Sequence, residues 1–167
     1  ETIEEARDLR FIGICRASIN AVDIDAATEA GVLVVNAPGR NAQAVAEHAF
    51  GLMFALARRI PFAHQYTSQG RWQNPTEPYM SMRGVELGGK TLGVIGLGAI
   101  GRHLANIAAG IRMRIVAYDP FVSTIPDGVE MSDLTGLMAE SDFISVHVPM
   151  NSDTEGFINE ALLSRMK

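Results

Sequence analysis

The sequence predicts an α/β fold, a parallel sheet covered by helices on both faces. Short apolar runs rich in β-branched residues alternate with stretches of helical period, and glycine, proline or aspartate stands at most of the junctions. A glycine-rich turn between one such run and the helical stretch after it is the most specific of these signs.

Taken in order, residues 9–15 form an apolar run holding Leu9, Phe11, Ile12 and Ile14, of a length suited to a buried strand, and residues 32–35 form another. Between them Asp23 can cap a helix over Ala26, Ala27 and Thr28, and Gly31 sits where that helix should end. This is one β-α-β unit, with its strands parallel and its crossover right-handed. Asn36-Ala37-Pro38-Gly39 then signals a turn. From Asn41, a candidate N-cap, Val45, Ala49, Leu52, Leu56 and Ile60 recur at three- and four-residue steps, with Phe50 and Phe54 off that stripe. A helix apolar on more than one face is expected to pack against its own domain and against something else. Pro61 can begin a second helix to about Gly70, and residues 70–89, punctuated by Pro75, Pro78, Gly84, Gly88 and Gly89, read as a connection. Residues 92–95 form a strand, 100–111 a helix, and 115–118 a strand ending in Asp119-Pro120. Ser132 is a cap candidate for a short helix with Leu134, Leu137 and Met138, and residues 143–148 form a strand stopped by Pro149.

Composition narrows the function. Of 167 residues 47% are hydrophobic and 20% charged, which excludes a disordered or collagen-like chain. The net charge of −5 argues against nucleic acid as a partner, because binding to phosphates needs a basic stripe. The longest apolar run, residues 51–57, is far shorter than the ~20 residues that span a bilayer, so no membrane crossing is expected. A single cysteine, Cys15, forms no intrachain disulfide, reads as a small core residue, and with the lack of a signal peptide points to a cytoplasmic, reducing compartment. The chain opens at Glu1 without Met and closes at Lys167 without a cap or polar tail, and so reads as an excerpt of a longer protein.

The glycine turn is Gly96-Leu97-Gly98-Ala99-Ile100-Gly101, which fits G-x-G-x-x-G. It follows a strand and opens a helix, and Asp119 ends the next strand at close to the ~20-residue spacing of the dinucleotide fingerprint. In that arrangement Gly96 makes the turn, Gly98 lets the backbone approach a pyrophosphate, and Gly101 lets helix pack on strand. Phosphates would lie on the helix N-terminus, and Asp119 would accept from the adenosine ribose hydroxyls and repel a 2′-phosphate, favouring NAD over NADP. Upstream, Gly84-Val85-Glu86-Leu87-Gly88-Gly89-Lys90-Thr91 matches a Walker A pattern letter for letter, but a strand rather than a helix follows it, so no phosphate site is expected there. Of the four histidines, His48 reads as half-buried packing, His64 as solvated and His103 as riding the helix after the glycine turn; no two have a metal-ligand spacing, and no metal is expected. His147 differs because it lies at the carboxyl end of a sheet strand, the edge where open α/β sheets bind ligands.

The residues resemble those of the NAD-dependent D-2-hydroxyacid dehydrogenase family, most closely its D-3-phosphoglycerate dehydrogenase-like branch. The similar stretches include Asp25-Ala26-Ala27-Thr28-Glu29-Ala30-Gly31-Val32, Val35-Asn36-Ala37-Pro38-Gly39-Arg40-Asn41, Val45-Ala46-Glu47-His48 and Gly70-Arg71-Trp72. They continue through residues 87–101, Tyr118-Asp119-Pro120, Ser141-Asp142, His147-Val148-Pro149, Thr154 and Phe157-Ile158-Asn159, in the family's order over almost the whole chain. The resemblance implies a doubly wound parallel (Rossmann) NAD domain, incomplete, preceded by part of a flavodoxin-like substrate domain. Residues 1–70 would belong to the substrate domain with its linking helix, 71–87 to a linker, and 88–167 to the first half of the NAD domain. It further implies that the amides of Ala99 and Ile100 bind pyrophosphate, that Asp119 and Pro120 hold the ribose, and that His147, Val148, Pro149 and Thr154 line the cofactor cleft. The helix starting near Asn41 would form a homodimer interface.

Where the family has a glycine-rich loop gripping the substrate carboxylate, this chain has Arg16-Ala17-Ser18-Ile19-Asn20, without glycine, so Ala17, Ser18 and Ile19 are only the positional match. The implied reaction is hydride transfer between NAD and the C2 of a small D-2-hydroxy or 2-oxo acid, 3-phosphoglycerate-like in kind. The family's catalytic Arg, Glu and His match positions after Lys167, so no catalytic residue is expected in this segment, which alone should be inactive. The alternative is a non-catalytic NAD-binding scaffold of the co-repressor kind on the same fold.

Overall fold

A computed structural model describes residues 2–167, which fall into two compact units that part between residues 42 and 43. The first holds α1 (Thr2–Glu5), β1 (Phe11–Ile14), α2 (Ile24–Glu29) and β2 (Leu33–Asn36). The Asp23 carboxylate accepts from the Ala26 N–H at 3.0 Å and so caps α2, as its position before the helical stretch predicts. Gly31, at φ +67°, ends the helix: its N–H donates to the Thr28 carbonyl and the Val32 N–H to that of Ala27, satisfying carbonyls the helix itself leaves open. β1 and β2 are parallel, Phe11 opposite Leu33. Cys15, expected in the core, is exposed instead, because β1 stops at Ile14 and a two-stranded sheet covers little; Phe11 and Leu33 are also exposed.

The second unit begins within the first turn of α3 (Ala42–Ala57), followed by α4 (Ile60–Ser68) and α5 (Thr76–Ser81). It continues as β3 (Thr91–Ile95), α6 (Ala99–Gly110), β4 (Arg114–Tyr118), β5 (Val129–Met131), α7 (Leu134–Glu140), β6 (Phe143–Val146) and α8 (Glu160–Leu163). The sheet is parallel throughout, in the order β5-β4-β3-β6. The chain moves outward from β3 to β4 and β5, then returns to the other side of β3, so the strand order reverses between β3 and β6. Crevices at such a switch point are where open α/β sheets hold ligands.

Side-chain alternation along β3 and β4 divides the core between the two faces. Leu92 and Val94 join Ile115 and Ala117 beneath Leu104, Ala105 and Ala108 of α6, with Ala46, Phe50 and Ala57 of α3 in the same cluster. Ile95 and Val116 face the other way, onto Leu137 and Met138 of α7. Gly93 leaves room for this second layer, since a Cβ there would stand 2.7 Å from the Leu137 side chain.

Several elements depart from expectation. The buried face of α3 is Ala46, Phe50 and Ala57, whereas Leu52 and Leu56 of the anticipated stripe are exposed. Ala46, Phe50 and Ala57 join the hydrophobic cluster that a leucine stripe seemed to claim, and Phe50 and Phe54 meet edge to face at 5.2 Å. The compact units part between residues 42 and 43, and α3 contributes to the core of the second. α3 ends at Ala57 rather than near Ile60, where Arg59 takes a left-handed φ of 53°. His48 is exposed, not half-buried. Asp133 rather than Ser132 caps α7, accepting from the Gly136 N–H at 2.6 Å, and β6 ends two residues early at Val146. β5, α5 and α8 are too short to show a period in the sequence.

The core assignment is tested by two leucines. Leu104→Ala, at a fully buried site, should lower unfolding stability by about 2–5 kcal/mol, and Leu56→Ala, at 76% exposure, by less than about 0.5 kcal/mol, in denaturant titrations run at concentrations where the chain is monomeric. Equal losses would contradict the packing described.

Candidate cofactor site

β3 runs directly into the glycine turn. Gly96 sits at φ +94°, a conformation that L side chains rarely adopt, and a Cβ there would lie 2.6 Å from the His147 carbonyl across the switch point. Its N–H donates to the Tyr118 carbonyl at 2.9 Å, tying the turn to the end of β4. Leu97 plugs inward, 2% exposed, and its N–H donates to Oδ2 of Asp119 at 2.8 Å. A Cβ on Gly101 would collide with the Gly96 carbonyl, so α6 can approach the turn this closely only with glycine there. Gly98 is the opposite case: at φ −68° it is unstrained, and a Cβ would meet nothing within 4 Å.

Gly98 is also the N-cap of α6, and no side chain caps that helix. The first N–H groups of an α-helix have no partner within it and carry the positive end of its dipole. An uncapped, open helix start beside a glycine without steric neighbours suits the phosphates of a dinucleotide, so the residues present fit that group. Asp119 ends β4 half-buried, its Oδ1 accepting from the Phe121 N–H at 2.9 Å, and Pro120 beside it is exposed.

On the other side of the switch point, the His147 N–H donates to the Ile95 carbonyl at 2.7 Å and extends the strand pairing by one residue. Its imidazole Nε2 lies 2.8 Å from the Ser145 Oγ, and burial holds its pKa below the ordinary value. Val148, Pro149 and Thr154 line a cavity of about 300 Å3 with Phe157 and Ile158. Thr154 braces this loop: its hydroxyl donates to the Pro149 carbonyl at 2.6 Å and accepts from the Asn151 N–H at 2.9 Å. The structure thus brings Gly96, Asp119 and His147 to one edge of the sheet in the second unit, with Thr154 in the loop beyond β6. Ala17, Ser18 and Ile19 lie in the first unit, exposed in the loop after β1, where the Ala17 carbonyl accepts from Asn36 Nδ2 at 2.7 Å.

Sequence reasoning missed the bond from Leu97 to Asp119, because nothing in residue type announces which backbone group a carboxylate will hold. The Ser145 to His147 contact was legible in principle, since residues two apart on a strand share a face. Residues 84–91 lead into β3 and not a helix, which removes the Walker A reading; a Cβ on Gly84 would lie 2.6 Å from the Ala57 carbonyl, so its glycine serves packing. Among the described residues no group of three or more His, Cys, Asp or Glu could hold a metal ion, and no helix is long and apolar enough to cross a membrane.

Comparison with known proteins decides the family. Residues 50–167 match the family model described as D-isomer specific 2-hydroxyacid dehydrogenase, NAD binding domain. The chain belongs to this family. It is 42% identical to the D-3-phosphoglycerate dehydrogenase of Archaeoglobus fulgidus, over all of this chain and 31% of that one. The D-lactate dehydrogenase of Escherichia coli superposes with a TM-score of 0.86 at 40% identity, covering 99% of this chain and 52% of that one. The NAD+-bound 3-phosphoglycerate dehydrogenase of Entamoeba histolytica superposes at 0.72 and 30% identity, over 99% of this chain and 48% of its own. The chain therefore spans about a third to about a half of the length of these relatives, and the part it carries includes the family's NAD-binding fold.

Two glycines separate binding from folding. Gly98→Ala should leave the thermal midpoint within about a degree while weakening dinucleotide binding, because its methyl would occupy the open space over the helix start; Gly101→Ala should lower stability by about 1–3 kcal/mol through overpacking. Calorimetry and ligand titration on both variants check this, and a stable, binding-competent Gly101→Ala would contradict it. His147 gives a pH signature. With its folded pKa depressed, the unfolded chain takes up the proton more readily, so stability is full above pH ~6.5 and declines as pH falls through the lower folded value. Proton NMR should place the His147 midpoint below 6.5, and a midpoint above it would contradict burial as the controlling cause.

Proposed function

We propose that this chain holds NAD at the start of α6, and that the protein it belongs to transfers hydride between NAD and the C2 of a small D-2-hydroxy acid. The observation that carries this reading is the uncapped N-terminus of α6 at Gly98, open to a ligand and set beside the Asp119 carboxylate at the switch point of the sheet. In this reading Gly96 and Gly101 shape the turn, and Gly98 gives access to the pyrophosphate. The amides of Ala99 and Ile100 bind it. Asp119 accepts from the adenosine ribose with Pro120 beside it, and His147, Val148, Pro149 and Thr154 wall the remainder of the cleft. NAD, when bound, supplies the nicotinamide that takes up or returns the hydride.

The relatives named above act on phosphoglycerate or lactate, acids that share a hydroxyl at C2 and a carboxylate beside it. The proposal for this protein is accordingly that substrate class, with Ala17, Ser18 and Ile19 as its carboxylate loop. The exposed Leu52 and Leu56 on α3 supply an apolar face for a second copy of the chain, consistent with a homodimer.

Calorimetric titration should show NAD binding at least about tenfold tighter than NADP, a 1.4 kcal/mol difference that a 2′-phosphate facing Asp119 readily supplies. The intact protein should reduce NAD with D- but not L-2-hydroxy acids, followed by NADH absorbance. Equal binding of the two dinucleotides, or turnover of the L-isomers, would overturn the reading.

A further inference from the structure

Asp119 carries more than one bond. Its Oδ2 accepts from the Leu97 N–H at 2.8 Å, inside the glycine turn, and its Oδ1 accepts from the Phe121 N–H at 2.9 Å, in the turn that follows β4. The two N–H groups approach the carboxylate from different loops. Leu97 is anchored by a side chain only 2% exposed, so its amide is held where the carboxylate finds it. Phe121, by contrast, presents its ring to solvent at 91% exposure, and the bond to Asp119 fixes the backbone beneath it.

From this geometry we infer that Asp119 is a latch on the phosphate-binding turn as well as a ribose ligand, and that it sets the shape of the helix start before any nucleotide arrives. An ionised carboxylate offers about four acceptor positions and no donor. Two are spent on the Leu97 and Phe121 amides, which leaves two for the hydroxyls of a ribose. No other side chain of this size can do both. Asn offers a single acceptor oxygen, and its amide nitrogen would turn a donor toward one of the two backbone donors. Ser offers one oxygen on a shorter stem. The latch therefore explains why a carboxylate is required at residue 119 independently of which dinucleotide binds. It also means that substituting Asp119 to admit a 2′-phosphate loosens the pyrophosphate site in the same step.

The ribose half of this inference rests on the NAD reading above, whereas the backbone half does not, and the test separates them. Amide hydrogen exchange on the ligand-free chain should show Leu97 and Phe121 exchanging about tenfold faster or more in both Asp119→Asn and Asp119→Ser, as expected for loss of a charge-assisted bond, with Ile115 in the neighbouring strand unchanged. Titration with ADP and with 2′,3′-dideoxy-ADP then reads the consequence. The dideoxy nucleotide has no ribose hydroxyls for Asp119 to hold, yet its affinity should still fall by about tenfold in either variant. Unchanged exchange at Leu97, or dideoxy-ADP affinity unaffected while that of ADP falls, would show Asp119 to be a ribose ligand alone and would overturn the latch. If neither nucleotide binds the unsubstituted chain, the NAD reading fails, and the exchange rates at Leu97 and Phe121 still decide for or against the latch.

Discussion

A methyl group on residue 101 would land on the carbonyl of Gly96, and the second unit is arranged around that close approach. With no side chain at 101, α6 starts immediately after the end of β3, at the edge where the strand order reverses. Gly96 can then turn at a positive φ against the His147 backbone, which places the turn and the edge of β6 side by side. The same approach seats Leu104, Ala105 and Ala108 on β3 and β4, so the packing that stabilises the unit and the opening that receives a ligand are consequences of one contact. Backbone groups rather than side chains make the site, which is why so few of its residues carry charge.

The electrostatics follow from that backbone. An α-helix start without a side-chain cap leaves its N–H groups and the positive end of its dipole exposed, and among the described residues the only carboxylate bonded into the turn is Asp119. The two poles divide the work: the helix start suits negative phosphate, and Asp119 suits hydroxyl donors. His147 lies across from both with its charge suppressed by burial, so it adds shape and a hydrogen bond to Ser145 rather than a competing cation.

How much of this the amino acids announced depends on the length scale of the signal. Residues 91–118 were legible because strand, glycine turn, helix and strand each carry a local pattern, and Asp119 stood at the spacing that its chemistry requires. The cap at Asp23 and the end of α2 at Gly31 were legible for the same reason. The face of α3 was not, because a helix apolar on more than one face does not say which side wins; Ala46 and Phe50 join the core, while Leu52 and Leu56 stay outside. Cys15 was misplaced because a strand in an apolar run does not disclose that its sheet has only two members in this unit. The hydrogen bonds of Asp119 to Leu97 and Phe121 join backbone amides, which no residue type encodes.

The central claim is that the start of α6 receives the phosphates of a dinucleotide. The most direct measurement is a titration of the isotopically labelled chain with ADP-ribose, followed by the backbone amide resonances. The account predicts that the largest shifts fall on Gly98, Ala99, Ile100 and Gly101, with smaller ones at Asp119 and Phe121. Shifts centred elsewhere, such as on Lys90 and the Walker-like residues 84–91, or no shifts at saturating ligand, would contradict it.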